Sequence, residues 1–146
     1  MRILVLADTH NHLPPNLDEL AAGADEIWHL GDVVTPSLLE SIRALGPPLT
    51  IVRGNCDANS EWPLVVDLER NGVRCRLIHI PPKQAPANID ILLHGHTHVP
   101  RDEVREGVRF LNPGCVTRPN RGAPASVAHL EISQTGELRW QLLRLR

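Results

Sequence analysis

The sequence predicts an α/β protein in which β-sheets and helices are stacked in layers. Two helical patterns alternate with three apolar, strand-like runs early in the chain, and mainly strand-like runs follow from residue 64. This order favours a layered sandwich over a single open sheet, because the second part lacks the regular alternation of strands and helices. We expect one domain spanning 1–146, which is long enough to bury its own core.

The composition argues against several classes of protein. A net charge of -2 without basic runs does not suit a broad electrostatic nucleic-acid binder. Three cysteines without a CxxC pair disfavour a disulfide framework and suit a reducing compartment. No apolar stretch approaches the roughly 20 residues of a membrane span, and Asp8 interrupts the first apolar run too early for a signal peptide. We therefore expect a soluble, cytoplasmic protein.

The early part of the chain follows the order βαβαβ. Each predicted strand is a run rich in Ile, Leu and Val that ends in polar residues, and these runs cover 2–7, 26–30 and 49–52. The first helix is predicted from Pro14-Pro15 to about Gly23, since proline favours the first helical turn. The second is amphipathic, follows Thr35-Pro36 and ends at Gly46-Pro47.

The later part of the chain is predicted to be mostly strands joined by tight turns. Asn71-Gly72 is a strong hairpin signal, and Glu106-Gly107 and Thr135-Gly136 separate two further pairs of strands. The predicted strands cover 64–68, 73–80, 89–93, 99–106, 108–111, 126–132 and 138–142.

Residues suited to metal coordination collect where the predicted strands end. They are Asp8, His10, Asp32, Asn55, His79, His96 and His98. The densest stretch is His94-Gly95-His96-Thr97-His98, where alternation places the three histidines on one side unless Gly95 turns the chain. Taken alone, this stretch also fits a His-rich surface loop. Strand ends are where α/β folds place their ligands, so the wider set predicts a site.

The number and type of these side chains indicate two metal ions. A structural zinc site uses about four ligands, usually including thiolates, whereas here there are seven candidates and no thiolate among them. Two ions about 3.5–4 Å apart require a bridging anion, for which Asp32 is the natural candidate. Two aspartates leave a positive surplus on two divalent ions, which suits a hydroxide and a phosphate oxygen.

These motifs resemble the calcineurin-like metallophosphoesterase superfamily over nearly the whole chain. In order they are Asp8-Thr9-His10, Gly31-Asp32, Gly54-Asn55-Cys56-Asp57, His79 and Gly95-His96-Thr97-His98. The short chain and the loop Asn112-Pro113-Gly114-Cys115 look most like the small bacterial and archaeal phosphodiesterase branch, which also contains the eukaryotic retromer scaffold subunit. The resemblance implies a four-layer αββα sandwich of two mixed β-sheets flanked by helices.

The resemblance also implies a ligand set and an activity. Asp8, His10, Asp32 and His98 would hold one divalent ion, and Asp32, Asn55, His79 and His96 the other. The expected reaction is hydrolysis of a phosphodiester by a metal-bridging hydroxide. Manganese is the favoured ion, with iron, nickel or zinc as alternatives, because this ligand set does not separate them. The predicted catalytic residues are Asn55, His96 and His12, the last as a candidate proton donor.

Two departures from the family pattern bear on this prediction. Many superfamily members have a histidine directly after the asparagine, but here Cys56 follows Asn55, and a neutral thiol is a poor general acid. After His79 the family usually has a helix, whereas the proline-rich segment 80–86 cannot form one. We therefore expect one helix to be missing after His79, which leaves part of the cleft open or covered by a second copy in a homodimer.

For several other polar residues, a structural role has to be considered beside a functional role. Arg53, Arg118 and Arg121 suit a phosphate clamp or an ordinary surface, and Asp57 is expected to orient a loop. His29 and His129 are expected to be structural, Cys115 a packed small residue, and His94 a support that acts through a carboxylate.

Two other functions fit the sequence less well than a phosphodiesterase. A non-catalytic interaction module on the same fold would show eroded ligands, and none is eroded. A nuclease lacks support, because aromatic residues make up only 3% of the chain and no basic groove is evident. The expected partner is a small phosphodiester substrate, with no membrane and no broad nucleic-acid binding.

Overall fold

Ten strands and two short helices make up the computed structural model, which describes residues 1–59 and 61–145. The strands are β1 Arg2–Leu6, β2 Glu26–His29, β3 Leu49–Ile51, β4 Val65–Arg70, β5 Val73–Ile78, β6 Ile91–Leu93, β7 Arg101–Arg105, β8 Val108–Asn112, β9 Ser126–Ile132 and β10 Leu138–Arg144. The helices are α1 Leu17–Ala21 and α2 Leu38–Arg43. Both are shorter than predicted, because tight turns that begin at Pro14 and Thr35 replace the first helical turns. Among the described residues, no helix is long and apolar enough to cross a membrane.

The first sheet has the strand order β10-β9-β1-β2-β3. Strands β1, β2 and β3 run parallel because a helical crossover joins each to the next, whereas β9 and β10 pair antiparallel. The carboxyl ends of parallel strands meet at one edge of a sheet. The polar residues that follow β1, β2 and β3 therefore lie close together.

The second sheet has the strand order β4-β5-β6-β8-β7. Its three central strands are parallel, and hairpins add the two outer ones. Asn71 and Gly72 have φ angles of 50° and 80°, which suits the tight turn predicted between β4 and β5. Glu106 and Gly107 adopt the same left-handed conformation between β7 and β8.

The main core lies between the two sheets. Ile3, Val5 and Trp28 of the first sheet share one apolar cluster with Leu77 and Leu93 of the second, and all five are fully buried. Both helices cover the opposite face of the first sheet. Their buried residues are Leu17, Ala21, Leu39 and Ile42.

The outer face of the second sheet has no helix over it among residues 1–59 and 61–145. The chain from Ile80 to Asp90 is irregular, and its Ala85 and Ile89 pack against Leu92 and Phe110. The predicted sandwich of two mixed sheets is confirmed, and so is the missing helix after His79. Where a fourth, helical layer was expected, the structure has this irregular segment.

Candidate metal centre

All seven predicted ligands lie at the carboxyl ends of strands, where the two sheets meet. The first sheet supplies the residues that follow β1, β2 and β3, and the second supplies those that follow β5 and β6. Four of the seven offer ligand atoms that all lie within 4.8 Å of one another. These four are Asp8, His10, Asp32 and His98.

The other three predicted ligands adjoin this group, most closely through Asp32. Asn55 Oδ1 lies 3.0 Å from His79 Nε2 and 3.0 Å from His96 Nδ1. His79 Nε2 is in turn 3.3 Å from Asp32 Oδ2, and His10 Nε2 approaches the same oxygen at 3.7 Å. Asp32 Oδ2 thus lies between two groups of side chains, the position that the sequence predicts for a bridging carboxylate.

Each aspartate is held by one oxygen and presents the other to the cluster. The backbone N–H of His96 donates to Asp8 Oδ2 at 3.1 Å, and that of Cys56 donates to Asp32 Oδ1 at 2.8 Å. Asp8 Oδ1 is buried and accepts no hydrogen bond from the described residues, although His98 Nε2 lies 3.3 Å away, because Nδ1 of that ring carries the proton. A buried carboxylate oxygen without a partner is costly. A cation at this point would satisfy it, so the donor set fits a metal ion.

Burial and neighbouring histidines set the charge of the two carboxylates. Burial raises the pKa of Asp8 to about 6, although His79 and His98 oppose the shift. Burial would also raise the pKa of Asp32, but hydrogen bonds from His79 and from the Cys56 backbone hold that pKa far below its usual range. Asp32 is therefore charged at any physiological pH, as a bridging ligand must be.

Backbone carbonyls orient two of the imidazoles. Nδ1–H of His79 donates to the carbonyl of Leu30, and Nδ1–H of His98 donates to that of Arg118, each at 2.7 Å. Both rings therefore turn Nε2 towards the cluster, which is the usual arrangement for a metal-binding histidine. For His79, burial alone would lower the pKa, but the hydrogen bond and charge of Asp32 raise it. In the metal-free protein this ring is thus inclined to carry a proton on Nε2.

Asp57 and His29 hold the loops that carry the ligands. Asp57 accepts backbone N–H groups from Asp32, Val34 and Gly54 at 2.7–2.8 Å, which ties the loop after β2 to the loop after β3. His29 is fully buried, accepts the N–H of Gly31 on Nδ1 and contacts Thr9 Oγ1 through Nε2. Burial lowers its pKa to about 3, so the ring is neutral.

The backbone of the cluster is strained. Five of the seven predicted ligands have left-handed φ angles between 43° and 70°: Asp8, His10, Asp32, His96 and His98. Few non-glycine residues adopt this conformation, and each instance costs of order 1–3 kcal/mol. Such strain is typical of sites where function dictates the direction of the side chains.

His12 and Cys56, the two residues considered as proton donors, lie at the margin of the cluster, where Asn55 Nδ2 donates to Cys56 Sγ at 3.6 Å. The His12 ring is exposed, and its Nδ1–H donates to the backbone carbonyl of His10. Burial and the charge of Asp32 raise the pKa of the Cys56 thiol, which makes it a weaker acid still. The role of His12 stays a prediction.

His94 and Asn112 support the loop that carries His96. His94 is buried and donates from Nδ1 to the Gly95 carbonyl, while Arg101 donates to its Nε2 at 3.2 Å. Its partner is thus a carbonyl and not the expected carboxylate. Asn112 Nδ2 donates to the same carbonyl at 3.1 Å and to Thr97 Oγ1 at 3.1 Å. The sequence did not lead us to predict this supporting role for Asn112. A polar residue at the end of a predicted strand and directly before Pro-Gly was the feature that could have indicated it.

Replacing Asp8 by asparagine is expected to stabilise the metal-free protein at neutral pH. A folded-state pKa of about 6 exceeds the unfolded value near 3.8, so the contribution of Asp8 is fully present below pH 3.8 and lost as pH rises to about 6. Above that, the charged carboxylate costs roughly 1–3 kcal/mol. Asparagine keeps an oxygen for the N–H of His96 and carries no charge.

Urea unfolding of the metal-stripped Asp8→Asn variant and the wild type checks this expectation. The variant should be the more stable at about pH 7.5, and the difference should vanish near pH 4. Asp67→Asn is the matched control. Asp67 is exposed and paired with Arg76, so removing its charge should not increase the stability of the protein. A less stable Asp8→Asn variant at pH 7.5 contradicts the burial argument.

The two-sheet architecture and the Asp/His cluster are those of a metal-binding α/β sandwich. A model of the calcineurin-like phosphoesterase superfamily domain matches residues 1–135. The chain therefore belongs to the calcineurin-like phosphoesterase superfamily, as the motifs predict.

Named relatives agree with this family. Phosphodiesterase YfcE of Escherichia coli (strain K12) is 30% identical over 161 residues, which cover 90% of this chain and 88% of YfcE. The probable metallophosphoesterase YsnB of Bacillus subtilis (strain 168) is 28% identical over 148 residues, covering 90% and 85% of the two chains. These relatives support a hydrolase of phosphoester bonds.

Solved structures agree with the fold. The E. coli phosphoesterase YfcE matches with a TM-score of 0.78 and 27% identity over the whole of both chains. Vps29 of Chaetomium thermophilum matches with a TM-score of 0.77, covering 99% of this chain and 95% of its own. The identity with Vps29 is 18%, so that likeness concerns the fold alone.

Proposed function

We propose that this protein is a phosphodiesterase that works with two divalent metal ions. The observation that carries the proposal is the place of Asp32 Oδ2 between the Asp8/His10/His98 group and the Asn55/His79/His96 group. Asp8 Oδ1 also approaches His79 Nε2, at 3.8 Å, but Asp32 Oδ2 lies closer to that atom, at 3.3 Å. The low pKa of Asp32 keeps it ionised, which suits a ligand shared by two cations.

The two groups divide into two ligand sets. Asp8, His10, Asp32 and His98 would hold one ion, and Asp32, Asn55, His79 and His96 the other. When bound, two divalent ions supply Lewis acidity and a water of lowered pKa. Two carboxylates against four positive charges leave a surplus of two, which favours an anionic substrate such as a phosphodiester.

The protein's own residues orient the substrate and limit its choice. Asn55 and His96 are exposed, so their outer edges face the solvent side of the cluster where a substrate would approach. Cys56 stays protonated at neutral pH and is too weak an acid to assist a poor leaving group. Aryl diesters, whose leaving groups need no proton, are therefore the best first substrates.

The proposal predicts that manganese restores hydrolysis of bis-p-nitrophenyl phosphate to metal-stripped protein. The diester should react faster than p-nitrophenyl phosphate, because one hydroxide and one singly charged diester balance the surplus of two positive charges, whereas a doubly charged monoester exceeds it. The initial rate with and without added manganese is the measurement, with zinc, nickel and iron(II) tested in parallel. Folded protein that hydrolyses neither ester with any of these ions contradicts the proposal.

The alternative function is a non-catalytic interaction module. The observation in its favour is the exposure of Leu64, Val65 and Ile80 beside the cluster, where a helix is missing. A second copy of the chain in a homodimer is one way to cover them. In that case the metal-loaded protein would bind a partner through this face and show no turnover.

A further inference from the structure

A cavity of about 480 Å³ opens directly beside the predicted second metal position. Its apolar wall consists of four side chains. Leu64 and Val65 lie just before and at the start of β4, and Ile78 and Ile80 lie at and just after the end of β5. Val65 pairs with Ile78 across the sheet, so these side chains stand together on its outer face. The volume lies within the range of roughly 300–1,000 Å³ that is usual for small-molecule sites.

The cavity is open because of the missing helix. The irregular chain after His79 covers Leu92 and Phe110 further along the sheet but leaves Leu64 57% and Ile80 50% exposed. Large apolar side chains grouped at a surface are uncommon unless they bind something. Here they lie next to a candidate reaction centre.

The cavity and the cluster share a wall. Asn55 and His79 line the cavity, and the same two side chains meet at 3.0 Å within the cluster. A substrate with its phosphorus atom at the cluster therefore has one substituent directed along this wall towards the apolar residues. The other substituent, which is the leaving group, would point away from the cavity and remain in water.

The cavity also contains an unpaired cation. Arg53 lines it, and its guanidinium makes no hydrogen bond or ion pair with any residue in 1–59 or 61–145. The nearby carboxylate of Asp57 already accepts three backbone N–H groups. Arg53 is thus placed to pair with a non-bridging phosphate oxygen, for which arginine is well suited.

We propose that this cavity is a substrate subsite that binds an apolar, preferably aromatic, ester group of a phosphodiester. This inference rests on the proposed phosphodiesterase function and adds the substrate class to it. Arg53 holds the anionic phosphate, and Leu64, Val65, Ile78 and Ile80 remove the ester group from water. The enzyme then selects diesters by the substituent that it retains during hydrolysis.

The test compares two diesters that release the same leaving group. Phenyl p-nitrophenyl phosphate and methyl p-nitrophenyl phosphate both yield p-nitrophenolate, and they differ only in the retained group. The wild type should prefer the phenyl ester in kcat/KM by roughly tenfold to a hundredfold, the range that an apolar contact supplies. In Leu64→Ser and Ile80→Ser this preference should fall at least about fivefold, mainly through KM. Both residues are half-exposed or more, so the variants should fold.

A matched control and a binding measurement accompany the rates. Val104→Ser removes an apolar residue that is 68% exposed on β7 and should leave the preference unchanged. Calorimetry with manganese-loaded protein should show tighter binding of phenylphosphonate than of methylphosphonate, with the difference reduced in Ile80→Ser.

The outcomes separate this inference from the proposed function. Hydrolysis of neither diester overturns the phosphodiesterase and the subsite with it. Hydrolysis of both, with the same preference in Leu64→Ser, Ile80→Ser and wild type, overturns the subsite alone. A wild-type dimer that Ile80→Ser dissociates without a change in preference likewise overturns the subsite, because the face is then an interface between copies.

Discussion

Replacing Asp32 by asparagine is expected to lower the rate of bis-p-nitrophenyl phosphate hydrolysis about a thousandfold or more. Asp32 Oδ2 lies 3.7 Å from His10 Nε2 and 3.3 Å from His79 Nε2, so the substitution would remove the carboxylate that we propose the two cations share. An amide oxygen in its place is neutral and cannot offset their repulsion. We also expect the metal content to fall from two ions per chain to one or fewer.

Metal analysis and initial rates on the same Asp32→Asn preparation check both expectations. Asparagine keeps the oxygen that accepts the Cys56 backbone N–H, so the fold should persist. Asp67→Asn again serves as the control, since it removes an exposed carboxylate on β4 that pairs with Arg76 and should leave the rate and metal content unchanged. An Asp32→Asn variant that retains two ions and full activity refutes the bridging role.

Replacing Gly54 by alanine is expected to destabilise the protein by about 2–4 kcal/mol and to abolish tight metal binding. A Cβ atom on Gly54 would overlap Asp32 Oδ1 and the Asp32 backbone nitrogen. Gly31 packs against the same point, since its own Cβ would come within 2.7 Å of Gly54 N. Because part of this overlap is with backbone atoms, a Cβ atom at position 54 can be accommodated only if the loop that carries Asp32 moves.

Gly46→Ala separates this overlap from the ordinary cost of replacing glycine. Gly46 has φ near 103°, and an added Cβ would meet no atom within 4 Å, so alanine there costs about 1 kcal/mol through backbone strain alone. Urea unfolding should show the larger loss of stability for Gly54→Ala, and manganese titration should show loss of tight binding only for that variant. Wild-type manganese affinity in Gly54→Ala would disprove the close-packing argument.

The strands and the meeting of the seven polar residues were predictable because both depend on local pattern. Each Ile/Leu/Val run ends in a polar residue, and parallel strands bring such ends together whatever the details of packing. The structure places Asp8, Asp32 and His79 in one cluster in this way. Their assignment as metal ligands stays a prediction that the Asp32→Asn measurement addresses.

Features set by distant backbone groups were not predictable. The N–H that holds Asp8 belongs to His96, 88 residues later in the chain, and no local pattern records such a pairing. The same holds for Asn112, whose amide reaches the Gly95 carbonyl. Helix length also escaped prediction, because the apolar spacing around α1 and α2 continues through turns that are not helical.

The origin of the ligands in both sheets has a consequence for assembly of the fold. Asp8 and Asp32 follow strands of one sheet, whereas His79 and His98 follow strands of the other. An ion bound among them acts as a cross-link between chain segments about 90 residues apart, where a secreted protein would use a disulfide. If the proposed ions bind there, loading with metal and closure of the sandwich would be a single linked equilibrium, and the free-energy difference between the folded and unfolded protein would rise with the concentration of the ion.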